Sequence, residues 1–282
     1  MIFKRLARNK KGVSSIISTL LITSIMIASI AMTYVYIIPT LDRGRMNSTL
    51  STSALFLTKM DGAVQSLIED GVGAARTIEV DAFAGNLEFR SLGLNFRAYI
   101  DGAMYIPIPS LEYGIVRISI PSDIAVMQQH NINYIKGSPY DSPAITNEGT
   151  IDPAVITMQR PQTDTYYLEL WYRLILLVHD TGSGGTIDVS LVVIQFTDAE
   201  SLRGLNSGTY YLTLNKTRVD VNPIQYGFNV NGDPITASGD DFTLYVNRGI
   251  GLEPVFTSSG ARTNVSFNMV IITYDFNTVK LN

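Results

Sequence analysis

Hydrophobic and polar positions along this chain fall into three successive regimes. Val13 to Ile38 is a run of 26 residues without charge, Gly or Pro, 18 of them apolar or aromatic and the other eight Ser or Thr. Between Ser51 and Asp70 the pattern turns helical: Leu57, Met60, Val64 and Leu67 recur at spacings of three and four, with Lys59, Asp61, Gln65 and Glu69 placed elsewhere. From Thr77 onward the period shortens to alternating or β-branched runs, which predict strands at 77–83, 87–96, 114–120, 166–178, 186–196, 209–214, 224–230, 242–246 and 263–275. Turn clusters such as Gly85-Asn86, Asp180 to Gly185, Asn231 to Pro234 and Ser259-Gly260 separate them.

The fold class this predicts is α+β dominated by β: a long N-terminal hydrophobic helix followed by an antiparallel β-sandwich-like head. Five of the eleven prolines (Pro121, Pro139, Pro143, Pro153, Pro161) lie between residues 121 and 161, which predicts a long irregular connection or inserted loop and a point near 160 where the head could subdivide, with no hinge composition that demands two separate cores. Tyr166 to Val178 is the most apolar stretch of the head and is expected at the centre of a sheet. The alternative for its aromatic residues is a binding platform.

As a helix, the first run would reach about 39 Å, more than the roughly 30 Å of a bilayer's hydrocarbon core. A secretory signal peptide has a shorter apolar region, about 7–15 residues, ending at a small-residue cleavage site; this run ends in Tyr34, Tyr36 and Pro39. A membrane helix is therefore the expectation. Pro39 lacks a backbone donor and disfavours helix at Ile38, so a kink or break is expected there, ahead of an amphipathic stem helix. Gly71 and Gly73 supply that helix's stop.

Composition sharpens the picture where charge is concerned. The 282 residues carry 21 Lys+Arg and 25 Asp+Glu, a net charge of -4, so there is no basic field and nucleic acid is not an expected partner. The charge is segregated: Lys4, Arg5, Arg8, Lys10 and Lys11 precede the apolar run, and the first acid is Asp42. By the positive-inside tendency this predicts a single-pass membrane protein with a cytoplasmic N-terminus and an extracellular head.

Chemistry is poorly supplied. There is no cysteine, and His130 and His179 are the only histidines, so thiolate chemistry is excluded and histidine metal sites are starved of ligands. Gly71-Val72-Gly73 and Gly182-Ser183-Gly184-Gly185 lack the Gly-Lys-Ser/Thr of phosphate loops and are read as turns. Asn229, Asn231, Asp233 and Asp240 are spaced like calcium-loop ligands, but Pro234 stands where such a loop needs Gly, so a hairpin is the reading. No catalytic residue, cofactor or metal is expected, and the protein is not expected to be an enzyme. Three acceptor sequences for N-glycosylation occur, at Asn47, Asn215 and Asn264.

The apolar helix is itself patterned. Ser15, Ser18, Thr19, Thr23, Ser29 and Thr33 share an arc of about 140°, interrupted by Ile22, Met26 and Ile30. Small and hydroxyl-bearing side chains let helices approach in lipid, so Ser15, Thr19, Ile22, Thr23, Met26, Ser29 and Thr33 are candidate helix-packing residues. The alternative is that the hydroxyls bond carbonyls of their own helix.

The junction Lys10-Lys11-Gly12-Val13-Ser14-Ser15-Ile16-Ile17 resembles the class III (prepilin-type) signal peptide of archaeal type IV pilin-like proteins, a likeness that covers roughly residues 8–40. The resemblance implies that a prepilin-type peptidase recognises Lys11, Gly12 and Val13 and cuts after Gly12. The mature chain would then have 282 − 12 = 270 residues and a net charge of −4 − 5 = −9. Many bacterial relatives have Glu five residues into the mature helix, where this chain has Ile17, which points to the archaeal group. The domain organisation expected is a leader over 1–12, a membrane or filament-core helix over 13–38, a stem helix over 39–73 and a β-head over 74–282. The resemblance implies a structural subunit of a cell-surface filament, with itself or other pilin-like subunits as partners. A membrane-anchored extracellular binding or adhesion protein that forms no filament is the alternative.

Overall fold

The computed structural model describes residues 10–80, 85–100, 103–138, 144–146, 152–180, 186–197, 210–226, 242–247, 252–258 and 264–280. Two compact units emerge: Met1–Thr49 with Ile124–Val126, and Leu50–Asp123 with Met127–Asn282.

The first unit is dominated by helix. Helix α1 (Lys10–Met32) runs into a π-helical turn, Thr33–Ile37, which leads into helix α2 (Ile38–Ile68). The break expected at Pro39 does not occur. The Ile38 N–H donates to Thr33 O, five residues back, so the helix widens by one residue where the Pro39 ring would otherwise meet the carbonyl four residues earlier. The Thr40 hydroxyl donates to Tyr36 O at 2.6 Å, giving an acceptor of the same turn a side-chain partner. From Ile17 on, this helix is long and apolar enough to cross a membrane, and its most apolar window is unburied.

The second unit contains α2 from Leu50 to its end and two sheets. One sheet has the order β1-β10-β13-β9-β8-β5, with β1 Ala75–Val80, β5 Ala144–Thr146, β8 Leu174–Asp180, β9 Thr186–Phe196, β10 Tyr210–Tyr226 and β13 Asn264–Lys280. The other has the order β12-β11-β2-β3-β7-β6-β4, with β2 Asn86–Ile100, β3 Ala103–Pro121, β4 Ile132–Lys136, β6 Ala154–Gln162, β7 Thr165–Tyr172, β11 Phe242–Asn247 and β12 Leu252–Ser258. The class is α+β dominated by β.

Three expectations need correction. The head is not purely antiparallel: β13 runs parallel to β9 from Asn264↔Thr186 to Tyr274↔Phe196, and β5 parallel to β8. Strands this far apart in the chain are joined by long connections rather than hairpins, which frees them to pair in either direction. The proline-rich stretch is not one irregular connection, since β4, β5 and β6 lie in it. Its described prolines avoid regular strand pairing: Pro121 ends β3, Pro153 precedes β6, and Pro161 falls at the register irregularity between Gln159 and Gln162, while Pro139 and Pro143 lie outside the described residues. The apolar run 166–178 is not one strand. β7 sits inside the second sheet, flanked by β3 and β6, then the chain changes sheets at Arg173 and continues as β8. Arg173 N–H bonds Pro153 O at 2.8 Å, and its guanidinium reaches Asp152 O at 3.0 Å and Ser138 O at 2.9 Å. The first bond satisfies the N–H at the crossing, and the other two hold the Arg173 side chain, whose residue is 2% exposed, against the carbonyls of neighbouring segments. Both sheets also draw strands from either side of residue 160.

Alternating side chains of the two sheets meet in one core. Leu87, Val116, Ile118, Leu168 and Leu170 face it from one sheet, and Val189, Leu191, Leu212, Leu214 and Tyr274 from the other, all buried. Its aromatic centre is Phe196, whose ring lies 6.0 Å from Phe89, 5.7 Å from Tyr172 and 5.3 Å from Phe276. Gly114 of β3 permits this approach, because a Cβ there would stand 2.6 Å from Phe196 Cβ and 2.9 Å from its carbonyl oxygen. Gly114→Ala is expected to destabilise the head by about 1–3 kcal/mol through overpacking. Chemical denaturation would check it, and an unchanged midpoint would mean that the sheets are not in contact here.

Candidate functional site

The most concentrated polar chemistry among the described residues lies where α2 meets the strands of its own unit. Leu50, Phe56, Leu57, Met60, Val64 and Leu67 form the buried stripe of α2, and Asp61, 2% exposed, lies within it. Asp61 was expected off the stripe with Lys59, Gln65 and Glu69; it is instead buried within the stripe. One turn beyond Leu57 and beside Met60 and Val64, it points into the core by helical geometry. That position was the available signal; its charge obscured it.

Asp61 accepts from three side chains. Tyr172 OH donates to Oδ1 at 2.8 Å, and Gln65 Nε2 reaches the same oxygen at 3.4 Å. Lys136 Nζ of β4 bonds Oδ2, and it also pairs with Asp152 Oδ2 at 2.7 Å. Asp152 is held in turn by the Ala154 N–H, which donates to Oδ1 at 3.0 Å. Burial pushes the Tyr172 phenol well above its usual range, and the charge of Asp61 and the hydrogen bond to it add to the shift. At Lys136 burial favours the neutral amine, but the bonds and charges of Asp152 and Asp61 outweigh it and hold the ammonium above its usual value. Burial alone raises Tyr274 to about 12.

A second anchor closes the helix end. Lys216 of β10, 5% exposed, donates to the carbonyls of Leu67 at 3.2 Å, Ile68 at 2.9 Å and Asp70 at 2.6 Å. These are among the acceptors that a helix C-terminus leaves unpaired, and they carry the negative end of its dipole. Lys216 sits where the β10–β13 register shifts, and its own backbone pairs with Gly73 and Ala74. Gly73 takes φ +92, a left-handed conformation suited to glycine, and so turns the chain from α2 towards β1. The stop expected at Gly71 and Gly73 is therefore used, with the bend itself at Gly73.

The residues singled out from sequence fall elsewhere. Lys11, Gly12 and Val13 lie in the opening turn of α1 and Ser15 in the next; the leader before Lys10 lies outside the described residues. Ile22 and Met26 are exposed. Thr23 Oγ1 donates to Thr19 O at 2.8 Å, Ser29 Oγ to Ile25 O at 2.8 Å and Thr33 Oγ1 to Ser29 O at 2.9 Å. Those hydroxyls spend their proton within the helix, the alternative raised for them. Asn47 is exposed on α2, Asn215 is half-buried on β10 between β1 and β13, and Asn264 opens β13. His130 is exposed in a turn at φ 61, and His179 is exposed on β8. The stretch holding Asn229, Asn231, Asp233 and Asp240 lies outside the described residues. Among the described residues no cluster of three or more His, Asp or Glu is placed to hold a metal ion.

Comparison with protein-family models, with curated proteins and with solved structures returns no match for this chain.

Proposed function

We propose that this chain is a structural cell-surface subunit of an archaeal type IV pilus-like filament, assembled through its N-terminal hydrophobic helix. The observation that carries the reading is a helix whose large apolar side chains from Ile17 to Ile38, Leu20, Leu21, Ile25, Ile27 and Ile30 among them, are exposed, directly after a Lys-Lys-Gly junction. Such a surface needs an apolar environment. Lipid supplies it before assembly, and the same surface packed against copies of itself supplies it afterwards. In this reading a prepilin-type peptidase removes residues 1–12 at the cytoplasmic face, the head lies outside the cell, and the head's role is structural rather than catalytic.

Ile22→Asp or Met26→Asp tests the assembly step. A charge at the centre of an apolar helix interface costs on the order of 3 kcal/mol, so filament yield should fall by more than about tenfold while the head's unfolding transition stays unchanged. Filaments at normal yield would sink the proposal. N-terminal sequencing of membrane-derived protein tests processing: a chain starting at Val13 is expected.

One observation favours the second reading, a membrane-anchored extracellular binding or adhesion protein without filaments. Thr23, Ser29 and Thr33 have committed their hydroxyl protons inside the helix, which leaves fewer directional bonds for a partner helix. Under that reading, exchanging Val13–Ile38 for an unrelated membrane helix would preserve function.

A further inference from the structure

The arrangement around Asp61 has the parts required to form an amide bond between two side chains. Asp61 presents its two oxygens differently: Oδ1 accepts from Tyr172 OH at 2.8 Å and from Gln65 Nε2 at 3.4 Å, whereas Oδ2 faces Lys136 Nζ. The Lys136 nitrogen is thus held against one oxygen of a carboxyl group whose other oxygen already has two donors. That is the disposition an acyl-transfer site needs, with a nucleophile on one side and stabilisation of the developing oxyanion on the other. Asp152 Oδ2 lies 2.7 Å from the same Nζ, within direct proton-transfer reach. Asp61 is 2% exposed on its helix, so water is largely kept from the carboxyl carbon. The fold itself supplies proximity, since Asp61 and Lys136 belong to α2 and β4 and meet only when helix and sheet dock.

We propose that Lys136 and Asp61 form an intramolecular isopeptide bond that covalently fastens α2 to the β-head. The balance is closed without any co-reactant. The Lys136 ammonium passes one proton to Asp61, giving a neutral amine and a neutral carboxylic acid. The amine lone pair attacks Asp61 Cγ, and the negative charge that develops on Oδ1 is received by Tyr172 and Gln65. Asp152 takes the second proton from the nitrogen and delivers it to Oδ2. The Cγ–Oδ2 bond breaks, water leaves, and an Nζ–Cγ amide remains with no change in oxidation state. Forming the amide removes the charge of buried Asp61 together with that of half-buried Lys136 and leaves Asp152 as the carboxylate of the cluster. Tyr172 and Gln65 go on donating to the amide oxygen. The inference is independent of whether the subunit builds filaments.

Intact-mass measurement on the full-length protein, purified in detergent and then denatured, reads the bond directly. The expected mass is lower by one water than the sequence from the observed N-terminus requires, and peptide mapping should recover the Asp61 peptide joined to the Lys136 peptide. Lys136→Arg keeps a cation beside both carboxylates but cannot give this amide, so its mass should show no deficit. Asp152→Asn retains the packing and removes the proton carrier, so the linked fraction should fall by more than about tenfold at a fixed time after synthesis. Folded wild-type protein of full calculated mass, with the two peptides separate, overturns the proposal and leaves an ordinary buried ion pair. A deficit that persists in Lys136→Arg overturns it equally, because another pair of residues would then carry the bond.

Discussion

A fragment beginning at Ala74 is expected not to fold, whereas one beginning at Leu50 should unfold as a single cooperative unit. The stem helix is a layer of the head's core, and the six apolar residues Leu50, Phe56, Leu57, Met60, Val64 and Leu67 are 0–5% exposed. Burying such a side chain contributes about 1.5–3 kcal/mol, so six together contribute on the order of 10 kcal/mol, comparable with the whole net stability of an ordinary domain. Removing the helix also strips Lys216 of its three carbonyl partners and Tyr172 and Lys136 of Asp61. Buried polar groups left in this way add their own desolvation penalty. Circular dichroism and proton NMR under a urea gradient would check both fragments. A sharp transition and dispersed amide signals from the fragment starting at Ala74 would show that the β-sheets are self-sufficient.

Asp61→Ala is expected to cost about 1–3 kcal/mol, the range for leaving a buried hydrogen-bonding group without its partner, because Lys136 keeps its ion pair with Asp152 at 2.7 Å. It leaves Tyr172 OH, whose residue is 5% exposed, without its acceptor and frees Lys136 from the helix. Equilibrium denaturation would measure it, and a loss below about 1 kcal/mol would mean that the cluster behaves as a surface salt bridge. The same site sets an alkaline limit. The folded state raises the phenol of Tyr172 well above its usual value and that of Tyr274 to about 12. The folded state therefore holds these protons after the unfolded chain has released them. The resulting stabilisation is complete below about pH 10, the ordinary tyrosine value, and is lost as pH rises towards 12 and beyond. Tyr172→Phe should flatten that loss, as seen in unfolding midpoints collected across the alkaline range.

Much of this architecture was legible because it rests on local periodicity. The uncharged run after Gly12, the stripe Leu57-Met60-Val64-Leu67 and the alternation in strands such as 186–196 each declare an element through its own repeat. Gly73 was legible as a stop because a left-handed turn favours glycine. Asp61 was misassigned because charge outweighed position in the reading: a carboxylate is ordinarily placed in solvent, and only a partner from another element makes its burial tolerable. Lys136 and Lys216 carried no local mark. Lys136 lies in the proline-rich stretch expected as a connection and Lys216 just past the strand expected over 209–214, and what singles each out is a carboxylate or a helix end 75 or roughly 150 residues away in the chain.

The sequence by itself determined that there is a membrane-length apolar helix, an amphipathic stem and a β-rich head, because these follow from the spacing of side chains along a regular backbone. Tertiary structure alone decided the rest. It placed β13 beside β9 in parallel, divided 166–178 between two sheets at a buried arginine, carried the helix through Pro39 on a π-turn and gathered Asp61, Lys136, Asp152 and Tyr172 at one point. The physical reason is common to all four. Each depends on where a backbone or side-chain polar group finds its partner once water is excluded, and that partner is fixed by the packed chain rather than by its neighbours in sequence.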